Sequence, residues 1–190
     1  MRKRAAAVAT IGSLLLATAA TAATTVDGRL LAADADGRNW AAYGRTYDES
    51  HASPLQQIDR TNVRRLGLAW SLDVPDVHNG ATVPLAVDGV LYFTVGQSLV
   101  HAVDAASGRL LWRFDPEVTK VAGRKLRYTW GPRGIAFWKG RVYVGTTDGR
   151  LIAIDARTGR EAWSVQTVGK DDALTITGAP RVFRDLVVIG

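Results

Sequence analysis

The sequence contains few side chains whose types and spacing suggest chemistry on their own. His51, His78 and His101 could bind a metal or exchange a proton, but they lie far apart and show no His-x-x-x-His spacing. Asp171 and Asp172 form an acidic pair in a polar stretch, which indicates a solvated loop rather than a cation site. The chain has no cysteine and no glycine-rich phosphate loop, which excludes thiolate catalysis and cysteine–zinc sites and gives no support for a nucleotide cofactor.

A repeat organises the middle of the chain. Residues 102–112 (Ala-Val-Asp-Ala-Ala-Ser-Gly-Arg-Leu-Leu-Trp) recur as residues 153–163 (Ala-Ile-Asp-Ala-Arg-Thr-Gly-Arg-Glu-Ala-Trp), an offset of 51 positions that also maps Gly89 onto Gly140. Short runs of β-branched and aromatic residues alternate with turn residues, and residues 58–190 show no sustained helical period. An all-β repeat of this length predicts a β-propeller of four-stranded antiparallel blades.

Each repeat carries an Asp-x-x-Ser/Thr-Gly turn with a tryptophan four residues after the glycine. We expect this turn to join the third and fourth strands of a blade. Trp112 and Trp163 are then expected to lie flat between neighbouring blades, where an indole buries a large apolar area. Trp70 ends a similar run, Leu-Gly-Leu-Ala-Trp, and is predicted to belong to the outer strand of an earlier, incomplete unit. All three indoles are predicted to pack the fold rather than to do chemistry.

The N-terminus has the layout of a secretory signal peptide. Arg2, Lys3 and Arg4 precede an uncharged apolar run and a stretch of small residues, with a cleavage site after Ala22. The apolar run is short for a retained membrane anchor, which needs about 20 residues. We therefore expect residues 1–22 to be removed on export to the periplasm, and the mature chain to have no membrane span.

The charge pattern gives no support for a nucleic-acid partner. Cleavage of the signal peptide would lower the formal net charge of +6 by three, so the high isoelectric point overstates the basic character of the mature chain. Arg60, Arg64 and Arg65 form its densest basic cluster, but Asp59 stands beside them and no aromatic residues interleave. We interpret the cluster as a solvated face.

Several separated segments resemble one protein family, in that family's order. These segments are residues 39–70, the two Asp-x-x-Ser/Thr-Gly-x-x-x-Trp turns, Arg-Gly-Ile-Ala at 133–136 and Thr-Ile-Thr-Gly-Ala-Pro at 175–180. They resemble the N-terminal part of the methanol/ethanol (alcohol) dehydrogenases that depend on pyrroloquinoline quinone (PQQ). The resemblance implies an eight-bladed propeller with tryptophan-docking motifs, of which this chain holds a part. The predicted division is a signal peptide (1–22), a lead-in segment (23–65) and a partial propeller (66–190).

The resemblance also implies a cofactor site. It assigns Arg133 as a cationic contact to the quinone and Thr177 as a hydroxyl contact to a quinone carboxylate. It implies PQQ bound over Ca²⁺ or a lanthanide, oxidation of a small primary alcohol by hydride transfer to the quinone, and a cytochrome c as electron acceptor. The family's metal ligands and its aspartate base match positions beyond Gly190. We therefore expect no catalytic or metal-binding residue within the 190 residues, and no activity from them alone.

The chain departs from the family pattern at two places near this site. Ala81 stands where many members have a glutamate that contacts the quinone. Arg127 and Tyr128 stand where many members have two adjacent cysteines joined over one face of the quinone, so Tyr128 or Trp130 would have to cover the ring. These departures predict a remodelled or weakened quinone site.

A second class of function is compatible with the same repeats. Propellers with tryptophan-docking repeats also act as non-catalytic scaffolds, including a lipoprotein of outer-membrane protein assembly, and fold alone does not decide function. The absence of an N-terminal cysteine argues against the lipoprotein, while Arg133 and Thr177 argue for a quinone pocket.

Overall fold

Two four-stranded antiparallel sheets and a hairpin dominate the structure, a computed structural model that describes residues 23–74, 82–123, 131–169 and 171–190. The strands of the first sheet, blade 1, are β1 (Leu85–Val87), β2 (Val90–Val95), β3 (Leu99–Asp104) and β4 (Leu110–Phe114). Those of blade 2 are β5 (Ala136–Trp138), β6 (Arg141–Gly145), β7 (Arg150–Asp155) and β8 (Glu161–Gln166). The hairpin of β9 (Arg181–Phe183) and β10 (Leu186–Val188) begins blade 3. The helices are α1 (Gly28–Ala32), α2 (Val118–Val121) and a 3₁₀ turn (Val63–Arg65).

The strand order in each complete blade follows the sequence, with every neighbouring pair antiparallel. This confirms the predicted all-β fold and the two blades that end near Trp112 and Trp163. The first strand of each blade begins at one end of the sheets, here called the upper end. The turns between second and third strands share the upper end, whereas the Asp-x-x-Ser/Thr-Gly turns lie at the opposite, lower end.

Tight turns join the first two strands of each blade. Asp88 and Gly89 have φ values of 50° and 76°, and Lys139 and Gly140 have values of 46° and 74°. Positive φ at both central residues is the requirement of a type I′ turn, whose twist matches the twist of the flanking strands. The hairpin register is thereby fixed, with Val87 opposite Val90 in blade 1.

The Asp-x-x-Ser/Thr-Gly turns are held by their own side chains. An oxygen of Asp104 accepts hydrogen bonds from the hydroxyl (2.7 Å) and the backbone N–H (2.8 Å) of Ser107. Asp155 accepts the same pair from Thr158 at 2.7 and 2.8 Å. The bonds from the hydroxyl and then from the backbone hold the pKa of both carboxylates below its ordinary value. The repeated sequence therefore makes a repeated turn between third and fourth strands, as predicted.

Trp112 connects blade 1 to blade 2. Its indole N–H donates to the carbonyl oxygen of Ala156 at 2.9 Å, and its ring lies on Gly159 of the blade 2 turn. A Cβ at Gly159 would stand 2.7 Å from ring atoms, and the residue has a φ of 70°, so only glycine fits both the conformation and the contact.

Trp70 repeats this arrangement one step earlier along the chain. Its indole N–H donates to the carbonyl oxygen of Ala105 at 3.0 Å, and its ring lies on Gly108 of the blade 1 turn. Residues 66–74 pair with no strand among the described parts of the chain. Trp163 is half-buried against Tyr143, with 5.9 Å between ring centroids, and its placement between two blades stays a prediction.

The lead-in segment contacts all three blades, and its Val26 carbonyl oxygen accepts a hydrogen bond of 3.0 Å from the backbone N–H of Lys139, directly after β5. Trp40 forms an antiparallel bridge with Ala86 in β1, on the edge that β2 leaves free. The Tyr47 hydroxyl donates to the carbonyl oxygen of Val182 in β9 at 3.4 Å. A largely buried salt bridge of 3.0 Å between Arg45 and Asp34 stiffens the loop between these contacts.

His101 lies inside blade 1 on β3. It is 5% exposed and stacks on the Phe93 ring, with centroids 5.3 Å apart and planes 6° from parallel. Its Nδ1 atom is buried and has no hydrogen-bond partner among the described residues. Burial, and secondarily the positive charge of Arg113 on the next strand, lower the pKa of this imidazole. The sequence pattern did not predict this buried, packed role.

We predict that Gly159→Ala destabilises the protein more than Gly140→Ala, although both glycines have nearly the same positive φ. The conformation alone should cost each variant about 1–2 kcal/mol. Gly140 faces open space, whereas an alanine at 159 must also displace the Trp112 indole, at an added cost of about 1–3 kcal/mol. Urea unfolding followed by fluorescence measures the difference, and equal losses would contradict the proposed contact.

We also predict a histidine contribution to acid sensitivity. Because His101 has a lowered pKa in the folded state, the unfolded chain takes up its proton first as pH falls below about 6.5. Stability should then fall by at most about 1.4 kcal/mol per pH unit from this group, and the loss should be absent above pH 7. His101→Leu should flatten the stability curve between pH 7 and pH 5 relative to wild type. If the stability curves of wild type and His101→Leu run parallel between pH 7 and pH 5, the imidazole contributes nothing to the acid sensitivity.

Candidate functional site

The two residues assigned from sequence to the quinone lie next to each other at the upper end. The backbone N–H of Arg133, which precedes β5, donates to the carbonyl oxygen of Thr177, which precedes β9, at 2.9 Å. Gly134 extends the contact to blade 1 through a parallel bridge with Val83, just before β1. The segments leading into the first strands of three successive blades are therefore in register at this end.

Close packing fixes these segments. A Cβ at Gly134 would stand 3.1 Å from the Cβ of Ala179. The segments that precede β5 and β9 therefore lie closer together than most side chains would allow. Pro132 and Pro180 are buried beside them, and each removes a backbone N–H and restricts φ. The backbone under the candidate site is therefore rigid on both sides.

The functional groups themselves remain available. Arg133 is exposed, and its guanidinium makes no hydrogen bond or salt bridge with a described residue. Thr177 is half-buried, and its hydroxyl likewise has no partner within the described ranges. A guanidinium that has no counter-ion among the described residues suits an oxygen-rich anion, because guanidinium binds carboxylate oxygens by charge-assisted hydrogen bonds. Sites of this composition hold carboxylates, phosphates or polarised carbonyl groups.

Two further glycines at the upper end, which the sequence pattern did not indicate, make close contacts. A Cβ on Gly131 would overlap the carbonyl oxygen of Gly96 in the β2–β3 turn. A Cβ on Gly145, the last residue of β6, would overlap the side chain of Ile176. A glycine inside a strand and a glycine before proline are signals of close backbone approach, but they do not identify the partner.

The other candidate residues that the structure describes make packing or loop contacts and do not form a site. The backbone N–H of Gly169 donates to Asp172 at 2.8 Å, as expected for a loop rather than a cation site. His51 packs edge-on against Tyr43 with 5.4 Å between centroids and lies 3.6 Å from Glu49. Across the part of the chain that the structure describes, no group of three or more His, Asp or Glu side chains could hold a metal ion.

Some sequence assignments lie outside the described residues and stay predictions. They are His78, Ala81, Arg127, Tyr128 and Trp130, together with the signal peptide. The helices that are described include none long and apolar enough to cross a membrane.

Curated proteins similar to this chain are alcohol dehydrogenases. The quinohemoprotein alcohol dehydrogenase ADH IIB of Pseudomonas putida is 50% identical over 179 residues, which cover 93% of this chain and 26% of that protein. The 1-butanol dehydrogenase (cytochrome c) of Thauera butanivorans is 45% identical over 157 residues, covering 82% of this chain and 23% of that protein. The chain thus spans about a quarter of the length of these relatives.

Solved structures of such enzymes share the fold. The quinohemoprotein alcohol dehydrogenase ADHIIG of Pseudomonas putida has a TM-score of 0.82 and 48% identity, over 90% of this chain and 25% of that one. A europium-containing methanol dehydrogenase has a TM-score of 0.73 and 30% identity, over 83% of this chain and 28% of that one.

The family profile described as "PQQ: Glucose/ethanol/alcohol dehydrogenase, beta-propeller domain" matches residues 40–190. The matched range contains both complete blades, the start of blade 3, and the paired Arg133 and Thr177. This chain therefore belongs to the PQQ β-propeller family of glucose, ethanol and alcohol dehydrogenases.

Proposed function

We propose that the protein to which these residues belong oxidises a small primary alcohol by hydride transfer to PQQ. The observation that carries the proposal is the backbone pairing of Arg133 with Thr177 at the upper end, within the family match. The names of the similar proteins support an alcohol as substrate. The whole enzyme is the subject of this proposal, because the chain spans about a quarter of its relatives.

The guanidinium of Arg133 and the hydroxyl of Thr177 fit PQQ, which presents carboxylates and quinone oxygens. Bound PQQ would supply an electron-poor quinone carbonyl that accepts a hydride. The guanidinium of Arg133 would stabilise the negative charge that develops on a quinone oxygen. The hydroxyl of Thr177 would donate a hydrogen bond to a carboxylate of the cofactor.

The backbone sets how these two groups are presented. The N–H of Arg133 is already occupied by the Thr177 carbonyl, so the side chains are the donors that remain for a ligand. Because this hydrogen bond joins the two segments, the backbone positions from which the guanidinium and the hydroxyl extend are held in one fixed relation before the ligand binds. Such preorganisation avoids part of the entropic cost of ordering the donors on binding.

The remaining parts of the proposal concern groups outside this chain. We propose that Ca²⁺ or a lanthanide lies beside PQQ on ligands beyond Gly190, which the europium-containing relative supports. A cytochrome c is proposed as electron acceptor, in keeping with the name of the Thauera butanivorans relative. Export to the periplasm, with removal of residues 1–22, is proposed from the N-terminal layout of charged, apolar and small residues.

The scaffold alternative has less support. A non-catalytic propeller needs the blades and their tryptophans but has no use for an exposed arginine that has no counter-ion among the described residues. The family match and the dehydrogenase relatives favour the enzyme.

We predict that dye-linked alcohol oxidation by the full-length protein requires both added PQQ and a Ca²⁺ or lanthanide salt. Arg133→Ala should lower kcat about 10²-fold or more, because it removes a fixed positive charge from the site where charge develops. Arg160→Ala is the matched control, since Arg160 is exposed on the lower-end turn of blade 2 and should leave kcat unchanged. Turnover without PQQ would refute the mechanism.

Thr177→Val should weaken PQQ binding without abolishing the fold. Valine keeps the shape of threonine but cannot donate to a carboxylate, and a hydrogen bond to a charged group contributes about 1.5–3 kcal/mol, or roughly 10–100-fold in Kd. Titration of apoprotein with PQQ measures the change. Thr158→Val, at a hydroxyl that donates to Asp155 in the lower-end turn of blade 2, provides a comparison away from the site. Equal affinity of Thr177→Val and wild type would remove Thr177 from the site.

A further inference from the structure

We infer that Gly131 and Gly145 are positioning residues for the quinone contacts of Arg133 and Thr177, an inference that rests on the proposed function. Neither glycine has a positive φ, so backbone conformation does not explain the choice of glycine at either position. The missing side chain is therefore what each position requires.

Gly131 determines how closely the segment that carries Arg133 packs against blade 1. It lies two residues before the arginine and packs against the Gly96 carbonyl oxygen, where a Cβ would overlap. Gly96 belongs to the turn between β2 and β3, and Ser98 in the same turn donates to the Gly145 carbonyl at 3.3 Å. The obstruction is backbone in a turn that this hydrogen bond ties to β6, so a side chain at position 131 would displace the segment that carries Arg133.

Gly145 performs the same task for Thr177 one blade later. A Cβ at Gly145 would overlap Cγ2 of Ile176 and stand 3.2 Å from its Cβ. Ile176 is 3% exposed and directly precedes Thr177, and its N–H donates to the Thr146 carbonyl at 3.4 Å. A side chain at position 145 would push Ile176, and with it Thr177, away from blade 2.

The contacts at Gly131 and Gly145 share one packing arrangement. In each, the segment leading into the next blade rests on the end of the second strand, or its turn, in the preceding blade. The hydrogen bond between the Arg133 N–H and the Thr177 carbonyl then joins the two supported segments. A shift at either glycine should therefore disturb both quinone contacts, although neither glycine touches the cofactor.

The test measures PQQ affinity of full-length apoprotein by fluorescence quenching, together with thermal unfolding of the same apoprotein. We expect Gly131→Ala and Gly145→Ala to raise the Kd for PQQ at least about tenfold, because the donors are displaced. Gly67→Ala is the matched control, since a Cβ there meets nothing within 4 Å. It should bind PQQ as wild type does.

A second substitution separates displacement from general damage. Because the obstruction at Gly145 is a side chain, Gly145→Ala combined with Ile176→Ala should bring the Kd back to within about threefold of wild type. At Gly131 the obstruction is a backbone carbonyl, so no side-chain truncation should rescue it. If Gly145→Ala alone is insoluble, the double variant decides: near-wild-type affinity supports the inference, and a Kd raised tenfold overturns it.

The outcomes distinguish this inference from the proposed function. Failure of wild-type protein to bind PQQ would refute the proposed function itself. Tight binding by wild type, with unchanged affinity in both glycine variants, would overturn the positioning role and leave the proposed function standing. A Kd that rises as much in Gly67→Ala as in Gly131→Ala would also overturn it.

Discussion

The contact between an indole and a glycine of the next blade is the constraint on which the structure depends. Strand pairing holds each blade together internally, but the relation between blades requires contacts from face to face. At the lower end Trp112 supplies one by covering Gly159 and donating to Ala156. An indole buries a large apolar area, and the same contact satisfies its N–H, so the tie leaves no buried polar group unpaired.

This constraint reaches the candidate site because the site is built from different blades. Arg133 precedes the first strand of blade 2 and Thr177 that of blade 3, so their relation is set by how blades stack and not by any single sheet. The lower-end tryptophan and the upper-end glycines act on the same stack from opposite ends. The tryptophan fills the space between blades 1 and 2 with a large side chain, whereas each glycine permits a close approach by having none.

Much of the architecture could be predicted because it is local. The paired Asp104 and Asp155 turns follow from residues within one repeat, and the repeat itself predicted that Trp112 lies between neighbouring blades. The site could not be derived in this way, since Arg133 and Thr177 meet through a hydrogen bond between distant loops, and only resemblance to a family pointed to them. The path of the lead-in segment also escaped prediction, because it has no repeat partner and its contacts are non-local.

The lead-in segment has a consequence for the order of assembly. Tyr47 and Glu49 contact Val182 and Arg181, at separations of 135 and 132 positions. A chain synthesised from its N-terminus at about 5–20 residues per second therefore completes this segment on the order of ten seconds before its partners exist. The contacts of Tyr47 and Glu49 with β9 can therefore form only after the chain has reached blade 3, whereas the bridge between Trp40 and Ala86 can form as soon as β1 exists.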